Sequence, residues 1–314
     1  MNISMQYFLI VTEERSISRA AERLFVSQQC VSSHIKKLEQ TYQAKLFTRK
    51  PSFRLTPEGE ALRRNLLRQS VLEEALNQEL SELKEERSHK IRVGIHNTRA
   101  TLLLPDIVQE FQKDFEDVSI EIYQGETKLF ETMLLEGKLD LFLATDTGER
   151  PEFRCTFLQQ EPIFLIVTES LLKRHGLEQV LETHSITATH LADIPLICSS
   201  KNSYLQSKID AWLAEQNVTI VPKIIVDTFQ IKLMLAAQDS GACFCPQMFF
   251  RTVNDINGNS SPHQNLISVS IGGFNLSTEI SIITHRDAYQ SQCLRRFSAL
   301  LQRSIIDALN TPLK

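Results

Sequence analysis

The chain has 314 residues, of which 42% are hydrophobic and 23% charged, with ten glycines and ten prolines. This is ordinary globular composition in a chain too long for one compact core, so we expect two or three domains. Residues 1–10 have no basic segment before an apolar one, and nowhere do 18 uncharged apolar residues follow one another. These patterns argue against secretion and membrane spanning, and we expect a cytoplasmic protein.

The cysteine pattern argues against both a disulfide framework and a zinc site. Six cysteines are spread along the chain without C-x-x-C or histidine-pair spacing: Cys30, Cys155, Cys198, Cys243, Cys245 and Cys293. Cys243 and Cys245 are alternate residues of a predicted strand and would point the same way, which leaves a redox or metal pair open. Buried or idle thiols are the simpler interpretation.

The formal net charge of −4 is unevenly distributed. The first 60 residues hold nine Lys and Arg against six Asp and Glu, and residues 15–54 hold all nine of those basic residues against two acidic ones. A cluster of one sign on an otherwise acidic chain suggests a polyanionic partner, whose phosphates would release counterions on binding.

Two helices are predicted at the start of the chain. Tyr7, Phe8 and Val11 lie at helical spacing and indicate the first. Ser18 is the predicted N-cap of a second helix over residues 19–25, whose two adjacent alanines would let another helix pack closely.

A third helix is predicted after Ser27, which can cap its first free amides. Val31, Ile35 and Leu38 recur at i, i+4 and i+7 as its buried face. Its outer face carries side chains that can contact base edges or phosphates in a major groove, namely Gln28, Gln29, Ser32, Ser33, Lys36 and Lys37. Helix, short turn and helix with this outer face predict a helix-turn-helix.

Residues 48–56 predict a small basic hairpin, or wing, anchored by Leu46 and Phe47. A solvated surface loop is the alternative. Beside a helix-turn-helix, a basic wing that contacts backbone phosphate is favoured.

These segments closely resemble the LysR-type transcriptional regulators in order and spacing. Two departures are Gln29, where the family usually has proline, and Gln43, where it usually has glycine before the wing. Gln29 adds a potential base-reading group. The matching segments are SRAAERLFVSQ at 18–28, VS at 31–32, IKKLE at 35–39, LF at 46–47 and LTPEG at 55–59.

The resemblance implies a winged helix-turn-helix DNA-binding domain over residues 1–57. We expect the glutamines and serines of the third helix to read bases, and the lysines and arginines to hold phosphates of double-stranded operator DNA. The expected DNA-contacting residues are Ser27, Gln28, Gln29, Ser32, Ser33, Lys36, Lys37, Arg49 and Arg54.

A long connecting helix is predicted over residues 58–89, because Thr56-Pro57-Glu58 is a favourable helix start. Steps of four and three residues give a seam of Leu62, Leu66, Gln69, Glu73, Leu76, Leu80 and Leu83. A lone surface helix is the alternative. We expect instead that Leu62, Leu66, Leu76, Leu80 and Leu83 pair two chains and place two recognition helices on a symmetric operator.

Strand-like and helical segments alternate over residues 90–314, which predicts α/β architecture. The predicted strands are 91–95, 118–123, 139–143, 163–167, 195–198, 224–226, 242–245 and 279–284, and the predicted helices 102–115, 128–135 and 288–309. The resemblance implies an effector-binding domain with the periplasmic-binding-protein-like (type 2) fold. Lobe one would comprise residues 90–161 and 268–314, and lobe two residues 162–267, with the effector between them.

Hydroxyl-rich turns follow three of the predicted strands, where an anion can meet free backbone amides. Helix capping is the alternative for each turn. Arg99 or Lys201 would pair with an anionic effector, and Phe229 would form an apolar wall. The expected effector-binding residues are Thr98, Arg99, Thr127, Ser199, Ser200, Asn202 and Phe229.

We therefore expect a sequence-specific transcriptional regulator, not an enzyme, because no common catalytic or nucleotide-binding motif occurs. Its expected partners are operator DNA, a small-molecule co-inducer, a second copy in a homodimer or homotetramer, and RNA polymerase if it activates; no cofactor is expected. Two alternatives stay open. One is a small-molecule binder with an appended DNA-binding module, and the other a thiol-based redox regulator using Cys198 or the Cys243/Cys245 pair.

Overall fold

The computed structural model describes residues 1–48, 52–84, 90–201, 203–259 and 265–313. The amino-terminal part consists of three short helices, a two-stranded antiparallel hairpin and one long helix. These are α1 (Ile3–Glu14), α2 (Ile17–Leu24), α3 (Gln28–Tyr42), β1 (Phe47–Thr48), β2 (Arg54–Leu55) and α4 (Pro57–Leu83). The predicted helix-turn-helix, hairpin and connecting helix are confirmed.

The start of α2 differs from the prediction. Ser18 lies inside the helix, and the cap is Ser16, whose side chain accepts a hydrogen bond from the Arg19 amide at 3.3 Å. Ile17 packs against the buried cluster of this domain, and the helix therefore begins two residues earlier than the capping pattern indicated.

Both ends of α3 have a local cause. Ser27 caps the helix as predicted, accepting from the Cys30 amide at 3.2 Å. The helix ends at Gln43, which has a φ of 50° in the left-handed region. That backbone conformation favours glycine, and it accounts for the glycine usual there in the family that this segment resembles.

The helices pack around an apolar core to which all four contribute. Ala20 is fully buried and Ala21 almost so, and the small size of this pair lets α2 approach α1 and α3 closely. The buried residues of this core are Tyr7, Phe8, Val11, Ala20, Ala21, Val31, Ile35, Leu38, Leu46 and Leu66.

The remainder alternates strands and helices, which confirms the predicted α/β architecture. Its first half contains β3 (Lys90–Ile95), α5 (Asn97–Asp114), β4 (Ser119–Gln124), α6 (Thr127–Leu135), β5 (Leu141–Thr145), β6 (Phe153–Thr168), α7 (Glu169–Arg174), α8 (Val180–Thr183), β7 (Ser185–Ile186) and β8 (Ile197–Cys198). Its second half contains α9 (Tyr204–Glu215), β9 (Ile224–Ile225), α10 (Phe229–Ala237), β10 (Cys243–Pro246), α11 (Phe250–Gly258), β11 (Leu266–Ile271), β12 (Ser277–His285) and α12 (Gln292–Leu309).

Two long strands connect the halves of a curled mixed sheet with the order β4-β3-β5-β12-β6-β11-β7. Strand β3 is parallel to β4 and β5, whereas β12 is antiparallel to both β5 and β6. The first part of β6 pairs with β12, and its second part pairs with β10 and β11. β6 and β12 are thus the crossover strands of a two-lobe fold, and β6 is far longer than the predicted 163–167.

One lobe boundary differs from the expectation. The predicted switch after residue 267 falls inside β11, whose Val269 and Ile271 are buried with Leu165 and Trp212 in the core of lobe two. The hydrogen-bonded pairing of β11 with β6 and β7 holds this whole strand in lobe two. The return to lobe one therefore lies between β11 and β12.

Candidate DNA-binding surface and effector cleft

The outward face of α3 is polar. At 100° per residue, Gln29, Ser32, Ser33 and Lys36 lie on one side of the helix, opposite the buried residues. All four are exposed or half-exposed. Gln28 and Lys37 flank this face at its two edges, and Ser27 precedes it as the helix cap.

The wing is built on a pair of stacked aromatic rings. Phe47 pairs with Leu55 across the hairpin, and the ring centroids of Phe47 and Phe53 are 4.8 Å apart. This packing leaves the side chain of Arg54 exposed at the hairpin edge. Arg49, predicted to hold a phosphate, lies outside the described residues.

The basic residues of this domain fall into two groups. Arg23 forms ion pairs with Glu13 and Glu14, and Lys45 pairs with Glu39 at 3.1 Å. In the part of the chain that the structure describes, Lys36, Lys37 and Arg54 form no ion pair. These three are therefore available to phosphate, as the sequence predicts.

The predicted leucine seam of α4 is divided into two parts. Leu66 is 3% exposed, and the partly buried Leu62 packs against the same core of the DNA-binding domain. The first three turns of α4 thus contribute to the core of the DNA-binding domain, and the expectation that Leu62 and Leu66 also pair two chains stays a prediction. An exposed stripe remains further along, formed by Leu72, Leu76, Leu80 and Leu83.

Helix α6 of lobe one connects the cleft to the DNA-binding domain. It begins at Thr127, and the residues after its last turn meet α4 and α1. Glu136 pairs with Arg63 of α4 at 2.5 Å, and Lys138 pairs with Glu13 of α1 at 3.2 Å. A 2.9 Å contact between Lys138 and Glu136 joins the two pairs.

Two further contacts join the middle and the carboxyl end of α4 to residues just after β12. Asp287 pairs with Arg68 at 2.6 Å, and this guanidinium holds the pKa of Asp287 below its ordinary value. The hydroxyl of Tyr289 donates to Glu82 at 2.8 Å. α4 is thus attached to lobe one of its own chain along much of its length.

A cavity of about 300 Å³ lies between the two lobes. Six of the seven predicted effector residues line it, and the seventh, Asn202, lies outside the described residues. The six are Thr98, Arg99, Thr127, Ser199, Ser200 and Phe229. The three hydroxyl-rich turns therefore converge on one site.

The lobe-one wall is organised around His96, which caps α5. Its Nδ1 lies 3.2 Å from the hydroxyl of the buried Thr98, and its Nε2 lies 3.3 Å from the Glu126 carboxylate. Thr127 follows at the first position of α6, where Glu126 makes no side-chain cap. The amides of this helix start are available to an acceptor in the cavity.

Arg99 already has a partner of opposite charge. Its guanidinium lies 2.7 Å from Glu161, a fully buried carboxylate on β6. Glu161 also accepts from the hydroxyl of Thr278 and the amide of Met248, so both of its oxygens are occupied. The charge of Arg99 is therefore compensated within the chain, and the expectation that it pairs with an anionic effector stays a prediction. Lys201 does not line the cavity.

The lobe-two wall contains a residue that sequence reasoning missed. Lys232 of α10 is 3% exposed, and its ammonium lies 2.5 Å from the hydroxyl of Ser199. Phe229 forms the neighbouring wall, stacked on Phe249 with centroids 4.9 Å apart. The sequence around Lys232 predicts an ordinary helix with one solvent-exposed lysine. No feature of the sequence therefore indicated that this side chain is buried.

The thiols give no support to a redox site. Cys198, Cys243 and Cys245 are buried. Burial raises the pKa of Cys198, raises that of Cys243 to about 12, and raises that of Cys245 well above its ordinary value. Because the thiolate is the reactive form, these cysteines are held in their unreactive state.

Neither metal-ion sites nor membrane-spanning elements emerge from the residues that the structure describes. Across the described ranges, no three or more His, Cys, Asp or Glu side chains are grouped so that they could hold a metal ion. Within the same ranges, no helix combines the length and the apolar character needed to cross a membrane.

Two family models match the chain. Residues 4–60 match the bacterial regulatory helix-turn-helix protein model of the lysR family, and residues 84–305 match the LysR substrate binding domain. The chain belongs to the LysR family. Its regulators combine a helix-turn-helix with a substrate-binding domain, as the fold of this LysR-family protein also does.

Named relatives agree with this assignment. The HTH-type transcriptional regulator YtlI of Bacillus subtilis is 31% identical over 137 residues, which is 44% of each chain. The regulator AlsR of the same organism is 27% identical over 77% of this chain and 79% of AlsR. The crystal structure of ArgP from Mycobacterium tuberculosis is 18% identical, covers 97% of both chains and has a TM-score of 0.67. At this level of identity, the similarity to ArgP supports only the fold of this LysR-family protein.

Proposed function

We propose that this LysR-family protein is a ligand-responsive regulator of transcription, acting in the cytoplasm where its operator DNA lies, and not an enzyme. The observation that carries the proposal is the polar outer face of α3 beside the exposed Arg54 of the wing, where Lys36 and Lys37 form no ion pair with any described residue. Such a surface fits a major groove and its flanking phosphates. The cavity between the lobes supports a small-molecule effector site.

The division of labour on this surface is testable. Gln29→Ala is expected to relax the preference at one operator position at a cost of about 1–3 kcal/mol there, because an amide reads one base edge. Arg54→Ala is expected to weaken binding to all DNA sequences alike, since Arg54 would contact phosphate. It should also lower the salt dependence of binding by about one released counterion. Fluorescence anisotropy with operator and single-base variants at several salt concentrations measures both effects.

Arg23→Ala is the matched control, because Arg23 is already paired with Glu13 and Glu14. It is expected to change operator affinity less than Arg54→Ala. Equal losses on every sequence for Gln29→Ala would contradict base reading by α3.

We further propose that the chain functions as a homodimer that assembles into a homotetramer, and that it contacts RNA polymerase where it activates. The exposed stripe of Leu72, Leu76, Leu80 and Leu83 supports the dimer, since apolar residues at this spacing suit a paired helix. In this proposal residues 1–57 bind DNA, 58–89 connect and pair the chains, and 90–314 bind effector.

Leu76→Asp is expected to convert the dimer to monomer, because it places a charge in an apolar helix pair. Size-exclusion chromatography with light scattering at micromolar protein measures the mass. Leu158→Asp is the control: Leu158 is 54% exposed against 55% for Leu76, but it lies on β6 of lobe one. A fully dimeric Leu76→Asp variant would assign the association to another surface.

A further inference from the structure

Lys232 is a buried cation directly behind the wall of the cleft. Its ammonium touches the hydroxyl of Ser199, which lines the cavity, and lies 4.7 Å from the ring centroid of Phe229, which also lines it. Among the described residues no carboxylate forms an ion pair with Lys232. Isolated buried charges are unfavourable, so a retained one calls for a compensating partner.

The hydrogen bond between Lys232 and Ser199 has a defined direction. A protonated lysine can only donate, so the oxygen of Ser199 accepts and its own hydrogen must point elsewhere. The backbone amide of Ser199 is already bound to the side-chain oxygen of Gln206 at 2.9 Å. The hydroxyl hydrogen of Ser199 is therefore a donor that this turn can present to the cleft, beside the hydroxyl of Ser200.

Few other charges surround Lys232. The groups that face it are the thiols of Cys198 on β8 and of Cys243 and Cys245 on β10, and the carboxylate of Asp227 just before α10. Burial lowers the pKa of Lys232, and the negative charge of Asp227 offsets this effect only in part. The Asp227 side chain is itself engaged by the Ser200 amide at 2.8 Å.

We propose that the effector is a small monocarboxylate, that its carboxylate accepts a hydrogen bond from Ser199, and that Lys232 orients this hydroxyl and supplies the compensating positive charge. This inference rests on the proposed role of the cleft as the effector site. Arg99 is already neutralised by Glu161, so Lys232 is the positive charge near the cavity that a ligand can match. Lys232 is a positioning residue, since Ser199 stands between it and the ligand.

The rest of the cavity limits the ligand to one negative charge and an apolar body. Phe130, Phe229 and Phe249 line the cavity, and its volume of about 300 Å³ suits a molecule of one ring or a branched chain. The carboxylates of Glu126 and Asp227 also line it and would repel a second negative charge. Dicarboxylates of the same body should therefore bind more weakly.

The experiment compares phenylacetate, phenylacetamide and 1,4-phenylenediacetate, together with isovalerate and its amide, on the full chain. Binding is followed by thermal shift and by titration calorimetry. We expect at least one monocarboxylate to raise the Tm, while its amide and the dicarboxylate do not. Lys232→Met is expected to weaken binding of that monocarboxylate about tenfold or more, which is the usual contribution of a hydrogen bond to a charged group.

Two further readouts separate positioning from a structural role. Lys232→Met is expected to raise the Tm of the ligand-free chain, because it removes a buried charge; loss of a merely structural contact would lower it. The carboxylate stabilises the protonated amine, so as pH rises through the lowered pKa of Lys232, binding is expected to weaken and to become coupled to proton uptake. Calorimetry in two buffers of different ionisation enthalpy measures this uptake, and Lys232→Met should abolish it.

Lys173→Met is the matched control, since Lys173 is an exposed lysine of lobe two paired with Glu169 on α7. It should bind the monocarboxylate as the wild type does. Equal affinity of Lys232→Met and wild type, equal binding of acid and amide, or no Tm increase with either acid would each overturn the inference. Operator binding by the same preparations tests the proposed function separately. If operator binding is retained while the ligand results are negative, only the proposed ligand class is contradicted.

Discussion

Glu161→Ala is expected to lower the free energy of unfolding by about 3–5 kcal/mol, the usual effect of removing one partner of a buried ion pair. Arg99 would be left as a buried charge, and the Met248 amide and Thr278 hydroxyl would lose their acceptor. These contacts join α5, the crossover strands and lobe two, so the loss affects the whole effector-binding domain. Urea denaturation followed by tryptophan fluorescence reports it through Trp212.

The double variant Arg99→Met, Glu161→Ala is expected to recover part of this stability, because it removes the unpaired charge and leaves only the orphaned donors. Glu178→Ala changes an exposed carboxylate and should leave the unfolding curve almost unchanged. A loss below about 1 kcal/mol for Glu161→Ala would show that the pair is not desolvated as the structure indicates.

Gly59→Ala is expected to abolish measurable operator binding and to destabilise the DNA-binding domain by about 1–3 kcal/mol or more, the effect of overpacking a core. An added Cβ would lie 2.1 Å from the carbonyl oxygen of Leu46 and 2.8 Å from Leu55. The Leu46 oxygen accepts the Thr56 amide at 3.0 Å, so the added methyl would force the wing away from the start of α4. Anisotropy with operator DNA and thermal unfolding measure the two effects.

Gly148→Ala provides the comparison, since among the described residues beyond its two chain neighbours no atom lies within 4 Å of the Cβ that it would add. It should change neither operator affinity nor Tm appreciably. Operator affinity within threefold of wild type for Gly59→Ala would mean that the wing and α4 adjust without loss, contrary to the close contact with Leu46.

Local rules predicted the DNA-binding domain well because its elements are short and its contacts lie close in sequence. A serine cap and an i, i+4, i+7 apolar pattern were enough to identify α3. The same rules misplaced the start of α2, where Ser16 and Ser18 are both acceptable caps and the burial of Ile17 decides between them. Tertiary packing overrode the capping preference at that point.

The sequence predicted the position of the effector cleft, but it did not predict which charged side chains of the cleft are already paired. Turns after strands identified Thr98, Thr127 and Ser199. The parallel strands β3 and β4 bring the first two to one sheet edge, and β8 of the other sheet brings Ser199 to the same cleft. Glu161 lies in a polar run that predicts no strand, and only its pairing with β12 makes it part of β6. Burial of such a carboxylate depends on partners distant in the chain, so a single sequence could not reveal that Arg99 is already neutralised.

Helix α6 sets the distance over which this protein must transmit a signal. Its nine residues span about 14 Å at 1.5 Å per residue, with Thr127 in the cleft at one end and the ion pairs of Glu136 and Lys138 just beyond the other. A helix is stiff along its axis, so a displacement of Thr127 in that direction arrives at α1 and α4 undiminished. The lining of the cleft and the contacts with the DNA-binding domain thus lie at opposite ends of one short helix, joined to α1 and α4 by only two ion pairs.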